Sequence, residues 1–209
     1  MIEKKKIFFN KKILIYGLGK TGTSSYKFLK KKNKVFLFDD YKKTLINKKT
    51  FIKSNFDYIL ISPGININQC ILKNYIKNNL KKIITDLDVF YSFYSENLNI
   101  SITGTNGKST TAKILFHILK DQKKDVRLVG NIGNAILNEK KISEKTIFVI
   151  EISSYQIEYS KFFKANFAII LNISPDHLER HRSMKNYIDA KFKLIKNQSK
   201  GGFAFINEK

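Results

Sequence analysis

One stretch, Ser101-Ile-Thr-Gly-Thr-Asn-Gly-Lys-Ser-Thr-Thr111, constrains the fold of this 209-residue chain more than any other. A short apolar run breaks into a glycine-rich turn and then opens a helix, the context of a phosphate cradle. Gly104 and Gly107 let the backbone turn tightly and point successive N–H groups inward. Those groups and the positive end of the following helix can hold a polyphosphate. Lys108 adds a mobile positive charge and Ser109 a hydroxyl for Mg²⁺, with Thr105, Asn106 and Thr110 completing the loop. The pattern is a variant of G-x-x-x-x-G-K-[ST], because Ile102 stands at the first position and the glycine comes two residues later. A plain glycine turn would account for Gly107 and Ser109, but it gives no reason for Asn106 and Lys108.

A second glycine loop lies upstream. The strand-type run Lys12–Tyr16 ends in Gly17-Leu-Gly-Lys-Thr-Gly22, a full G-x-G-x-x-G ahead of a helical stretch containing Tyr26, Phe28 and Leu29. A further strand, 34–38, ends in Asp39-Asp40 about 20 residues on, where a dinucleotide site places its ribose-binding acid. Taken alone, the spacing favours NAD. The run 55–61 predicts a third strand with a sharp exit at Ser62-Pro-Gly-Ile65. A helix over 70–79 and a short strand at 82–85 follow. Residues 86–94 read as a helix capped by Asp86. The polar stretch 96–99 has no periodicity, and the domain boundary is placed near residue 97.

Beyond the phosphate loop, Ile114, Leu115, Ile118 and Leu119 predict one apolar helix face. Three strands then end in polar exits: 126–129 in Gly130-Asn-Ile-Gly133, 146–152 in Glu151 and Ser153-Ser154, and 167–171 in Asn172-Ile-Ser-Pro-Asp-His177. An acid closing a buried strand opposite a phosphate loop is what a Mg²⁺-nucleotide site requires, since the metal takes oxygen ligands. Asp176 and His177 reach another carboxyl edge, where a metal or phosphate role fits. His117 falls on the flank of the phosphate-loop helix, and His181 carries less weight than His177. Helical spacing covers 184–196, within which Lys191 reads in isolation as one more surface lysine. A last strand begins in 201–206. The whole is an α/β chain in two parts, a Rossmann-like unit over 1–97 and a P-loop-type unit over 98–209.

The formal net charge of +22 invites a nucleic-acid reading. Its make-up argues against one, because Arg127, Arg180 and Arg182 are the only arginines, and phosphate and base-edge readers lean on arginine's fork. The lysines are spread in pairs and triplets such as 4–6, 30–32 and 48–49, which describes a solvated surface. No apolar run approaches the ~20 residues that span a bilayer, and no N-terminal signal pattern is present. The single cysteine, Cys70, excludes an internal disulfide framework and a cysteine-cluster zinc site. The expectation is a soluble, cytoplasmic, monomeric protein with neither nucleic-acid nor membrane partners.

The ordered set of exits resembles the Mur ligase family of peptidoglycan precursor synthesis, most closely its D-glutamate-adding branch. Its carriers are Gly17–Gly22, Ser62–Ile65, Thr103–Thr110, Gly130–Gly133, Glu151-Ile-Ser-Ser-Tyr-Gln156, Leu171–His177 and Tyr187-Ile-Asp-Ala-Lys191. The resemblance changes the reading of the first glycine loop from NAD to a UDP diphosphate, with Lys20, Thr21, Asp39 and Gly64 lining that pocket. It implies that Lys108 steadies the ATP phosphates, that Ser109 and Glu151 hold one Mg²⁺, and that His177 holds a second. Asn131 and Ser153 would meet the substrate, and Lys191 matches a lysine that the family carbamylates, facing the metal. The implied partners are UDP-N-acetylmuramoyl-L-alanine and D-glutamate, joined through an acyl phosphate at the expense of ATP. Family members continue into a third domain to which nothing here corresponds. The expectation is therefore a fragment, split or truncated form that does not ligate alone. Competing readings are the L-alanine-adding branch of the same family, a non-catalytic nucleotide- or nucleic-acid-binding remnant, and a nicotinamide oxidoreductase.

Overall fold

The computed structural model describes residues 7–42 and 54–207; the lysine clusters at 4–6 and 48–49 lie outside them. The chain forms two wholly parallel sheets. The first contains β1 (Lys12–Tyr16), β2 (Lys34–Phe38), β3 (Tyr58–Ile61) and β4 (Ile83–Ile84), in the order β2-β1-β3-β4. Its helices are α1 (Lys20–Leu29), α2 (Lys73–Asn78) and α3 (Asp86–Tyr94). The second contains β5 (Asn99–Thr103), β6 (Val126–Gly130), β7 (Ile147–Glu151), β8 (Phe167–Ile170) and β9 (Phe203–Ile206), in the order β6-β7-β5-β8-β9. Here the helices are α4 (Lys108–Asp121), α5 (Ser154–Glu158), α6 (Leu178–His181) and α7 (Met184–Lys196).

Parallel strands are covered on both faces, so they read as near-continuous apolar runs. Leu14 and Ile15 of β1 and Phe148, Val149 and Ile150 of β7 are fully buried. In each sheet the strand order reverses beside the strand that carries a glycine loop. β1 lies between β2 and β3, and β5 between β7 and β8. Ligands of open α/β sheets bind at such switch points, beyond the carboxyl ends of the strands. Both glycine loops therefore stand where the topology places a site.

The polar stretch before β5 is not a free linker. Asn97 is buried and donates to the carbonyls of Ser143 and Thr146 at 2.8 and 3.0 Å. One buried cluster runs from Phe8, Ile13 and Ile15 through Leu87 and Phe90 of α3 to Phe148 and Ile150 of β7. Phe90 meets Phe148 edge-on at 4.8 Å. The sheets are also pinned by Asp88, which is fully buried. Its Oδ1 accepts from Ser160 Oγ and the backbone N–H groups of Lys161, Phe162 and Phe163 at 2.7–3.2 Å.

Four details differ from the sequence reading. The N-cap of α3 is Thr85, whose N–H donates to Asp88 Oδ2 at 3.0 Å, and Asp86 is the first helical residue. The expected face of α4 is split: Leu115 and Leu119 pack on Ile102, Val126 and Val149, while Ile114 and Ile118 are exposed. β3 begins only at Tyr58, because Asp57 Oδ2 turns aside to accept from Lys12 N. The helix expected over 70–79 is confined to 73–78, preceded by turns in which Gln69 and Cys70 N–H groups donate to Asn66 O.

Candidate functional site

The phosphate loop occupies the exit of β5. Gly107 adopts φ +78°, a left-handed geometry that favours glycine, and leads directly into α4. Gly104, Thr105, Asn106, Gly107, Lys108, Ser109 and Thr110 thus all lie between the strand end and the first helical turn. A neighbour that the sequence reading did not single out braces the loop. Asn172, just after β8, accepts from the N–H groups of Thr105 and Asn106 at 3.1 and 2.9 Å and donates to Asn106 O at 3.1 Å. Thr105 Oγ1 also meets the buried Tyr187 hydroxyl at 3.1 Å, and Lys108 Nζ donates to Thr105 O at 2.6 Å.

Glu151 closes β7 and is buried. Its Oε2 accepts from Ser109 Oγ at 2.7 Å and its Oε1 from Asn131 Nδ2 at 2.8 Å. Both donors are neutral, and Glu151 forms no ion pair among the described residues. A buried carboxylate beside a hydroxyl, with no cation to balance it, is an oxygen pair suited to Mg²⁺. The described residues contain no cluster of three or more His, Cys, Asp or Glu side chains of metal-binding geometry. Oxygens of a bound phosphate would have to complete the coordination.

Lys191 is not a surface residue. It is 1% exposed, reaches Gly104 O at 2.8 Å and stands over the Tyr187 ring at 4.5 Å. Burial, then the charge of Lys108, pushes its ammonium down to about 8, against the opposing pull of Asp176. His177 adopts φ +54° at the start of α6, with Nε2 at 3.4 Å from Asp176 Oδ2 and its ring 4.9 Å from Tyr155. His181, buried, shares a 3.0 Å hydrogen bond with Ser154 Oγ and has its pKa lowered by burial. His117 is exposed on α4.

The first glycine loop opens on a cavity of about 390 Å³. Lys20, Thr21, Asp39 and Gly64 line it from the first sheet and Asn131 from the second, so five of the six expected substrate contacts share one cavity. The sixth, Ser153, does not line it; its hydroxyl accepts from Gln156 N and caps α5, while Gln156 lines the wall. Asp39 is turned toward the loop: Oδ2 accepts from Leu18 N at 2.6 Å, and Oδ1 from Tyr41 N and Lys42 N at 3.0 Å each. Burial alone would raise its pKa, but these N–H donors outweigh burial and hold it below the usual carboxylate value. Gly22 is required by close approach, since a Cβ there would lie 1.8 Å from Gly17 O. Lys20 Nζ crosses to Gly133 O, in the turn that follows β6 of the second sheet, at 2.5 Å.

No helix among the described residues is long and apolar enough to cross a membrane. Residues 102–209 match the family described as the Mur ligase middle domain. The chain is 39% identical over 206 residues to the UDP-N-acetylmuramoylalanine--D-glutamate ligase of Rickettsia bellii, covering 92% of this chain and 45% of that protein. The corresponding ligase of Caldicellulosiruptor saccharolyticus is 36% identical over 219 residues, covering 95% and 48%. The chain thus spans about half the length of these curated relatives. The fold is shared with the solved UDP-N-acetylmuramate:L-alanyl-gamma-D-glutamyl-meso-diaminopimelate ligase from Neisseria meningitides: TM-score 0.58, 14% identity, 96% of this chain and 72% of that one. It is shared too with UDP-N-acetylmuramate-alanine ligase MurC from Thermotoga maritima: TM-score 0.52, 20% identity, 96% and 53%.

Proposed function

Because the chain belongs to the Mur ligase family, we propose that it is the UDP-substrate-binding and ATP-binding part of a cytoplasmic UDP-N-acetylmuramoyl-L-alanine:D-glutamate ligase. Residues 1–97 hold the UDP moiety and 98–209 hold ATP. The similarity to D-glutamate ligases over more than nine-tenths of the chain supports this branch. The observation that carries the reading is Glu151. One carboxylate oxygen touches Ser109 in the phosphate loop, and the other touches Asn131 in the wall of the 390 Å³ cavity. The nucleotide loop and the substrate cavity therefore meet at one residue.

The reaction brings two anions together: the L-alanyl carboxylate attacks the γ-phosphorus of ATP, ADP leaves, and an acyl phosphate forms. The amine of D-glutamate then displaces phosphate, giving the amide and releasing a proton. Mg²⁺, when bound, neutralises the phosphoryl oxygens. Lys108 supplies a second positive charge at the loop. Asn172 and Tyr187 hold the loop in shape, and Asn131 orients the substrate's reacting end. Ser109 and Glu151 would hold one metal ion and His177 another. Lys191, once carbamylated, would present a carboxylate in place of its ammonium. The second half of the ligase, beyond the span of this chain, would supply the D-glutamate contacts.

Calorimetric titration with UDP-N-acetylmuramoyl-L-alanine tests the assignment. Saturable binding that Asn131→Ala weakens about tenfold, on the order of one hydrogen bond to a charged group, is the expected outcome. No binding, or tighter binding of NADH, would overturn it.

A further inference from the structure

The 390 Å³ cavity takes its walls from both sheets, so its shape depends on what holds the Ser62–Gly64 turn of the first sheet against the second. One side chain does this from a buried position. Arg180, in the middle of α6, is only 9% exposed. Its Nη1 donates to Pro63 O at 2.7 Å, across 117 positions of sequence. Its Nε is 3.3 Å from Glu158 Oε2, and the guanidinium lies 4.1 Å from the centre of the Tyr155 ring. The remaining nitrogen, Nη2, is buried without a hydrogen-bond partner. A buried guanidinium with one unsatisfied nitrogen has no spare contact to fall back on if the Pro63 carbonyl moves away.

The backbone commits this arginine to its place. α6 is four residues long and bounded by two non-glycine residues in the left-handed region, His177 at φ +54° and Arg182 at φ +68°. Each is a conformation that L side chains rarely adopt and that the surrounding contacts must hold in place. The two reversals turn Arg180 inward toward Pro63 while His177 stays beside Asp176 and Tyr155. Tyr155 thus contacts both the proposed metal-binding histidine, at 4.9 Å between ring centres, and the arginine that holds the substrate turn, at 4.1 Å.

We propose that Arg180 is a positioning residue for the UDP-linked substrate: its fork fixes the Pro63–Gly64 turn against Tyr155 and Glu158 and so sets the width of the cavity between the sheets. The inference rests on the substrate reading given above. Lysine cannot replace it, because a single ammonium on a flexible stem lacks the fork that reaches the Pro63 carbonyl and Glu158 together while staying over the Tyr155 ring.

The test is calorimetry on the full 209-residue chain, titrated separately with UDP-N-acetylmuramoyl-L-alanine and with MgADP. Arg180→Lys should weaken the UDP ligand tenfold or more while MgADP affinity stays within twofold. Glu158→Gln keeps the fork, and an amide oxygen that can still accept from Tyr159, while weakening the Arg180 anchor, so it should give a smaller loss confined to the same ligand, a readout that survives if the arginine variant fails to fold. Unchanged UDP-ligand affinity in both variants, or a parallel loss for both ligands, overturns the positioning role alone. A wild-type chain that binds MgADP but not the UDP ligand overturns the substrate reading, and the inference with it.

Discussion

Asp86 gives the most quantitative consequence of the fold. It is the first residue of α3, 3% exposed, and its Oδ1 has no hydrogen-bond partner. Burial raises its carboxyl from 3.8 to about 7; the Leu87 N–H opposes the rise, and the charge of Asp88 adds to it. A shift of about three units corresponds to roughly 4 kcal/mol of pH-dependent stability. That is a large share of the ~5–15 kcal/mol by which domains are stable. Between the unfolded and folded pKa values, the folded chain keeps a proton that the unfolded chain has released. The contribution is therefore fully present below about pH 4, falls as pH rises, and is gone above about pH 7. Asp86→Asn removes the titration while keeping the shape. Urea unfolding of both proteins at pH 4.5 to 8.5 gives a difference curve in which the other carboxylates cancel. Wild type should lose stability relative to the variant across this interval, by up to about 4 kcal/mol, and the curves should run parallel above pH 8. Parallel curves throughout would refute the argument.

Two further outcomes follow from particular contacts. With its pKa near 8, Lys191 has a substantial neutral-amine fraction at mildly alkaline pH, and only the neutral amine reacts with CO₂. ¹³C NMR under ¹³CO₂ should show a carbamate signal that grows from pH 6 to 8.5 and is missing in Lys191→Arg; no signal at any pH would contradict it. Gly22→Ala forces a Cβ to 1.8 Å from Gly17 O and should cost about 3 kcal/mol of stability, the upper end of the usual overpacking range. Gly64→Ala, with no atom within 4 Å of its Cβ, should stay within about 0.5 kcal/mol; similar melting temperatures for the two variants would refute the packing argument.

Much of the architecture was legible in the sequence because buried parallel strands leave unbroken apolar runs, and the exits of such strands carry glycine or polar residues. β1, β2 and α7 have the expected bounds. The structure also draws Lys20, Thr21, Asp39, Gly64 and Asn131 to one cavity. Side chains defined by distant partners were harder to read. Spacing alone makes Lys191 one more surface lysine, and only the family resemblance marks it; the structure buries it under Gly104 O. Asp88 sits in an ordinary helical stretch, and its acceptor role depends on residues 160–163. Arg180 follows an Asp-His pair that draws attention to itself, while its own partner lies 117 positions away. The periodicity of α4 overstated burial at Ile114 and Ile118, since a helical pattern marks an apolar stripe without saying how much of it is covered.

If Ser109 and Glu151, beside the phosphate loop, hold a metal ion for the nucleotide, affinity for ATP must depend on that metal. Calorimetric titration of the chain with ATP, with and without Mg²⁺, reads this. Wild type should bind MgATP at least tenfold more tightly than ATP in EDTA, and Glu151→Gln should abolish that difference while leaving metal-free binding by the loop and Lys108 in place. Equal affinity with and without Mg²⁺ in the wild-type chain, or a Mg²⁺ effect that survives in Glu151→Gln, would contradict the account.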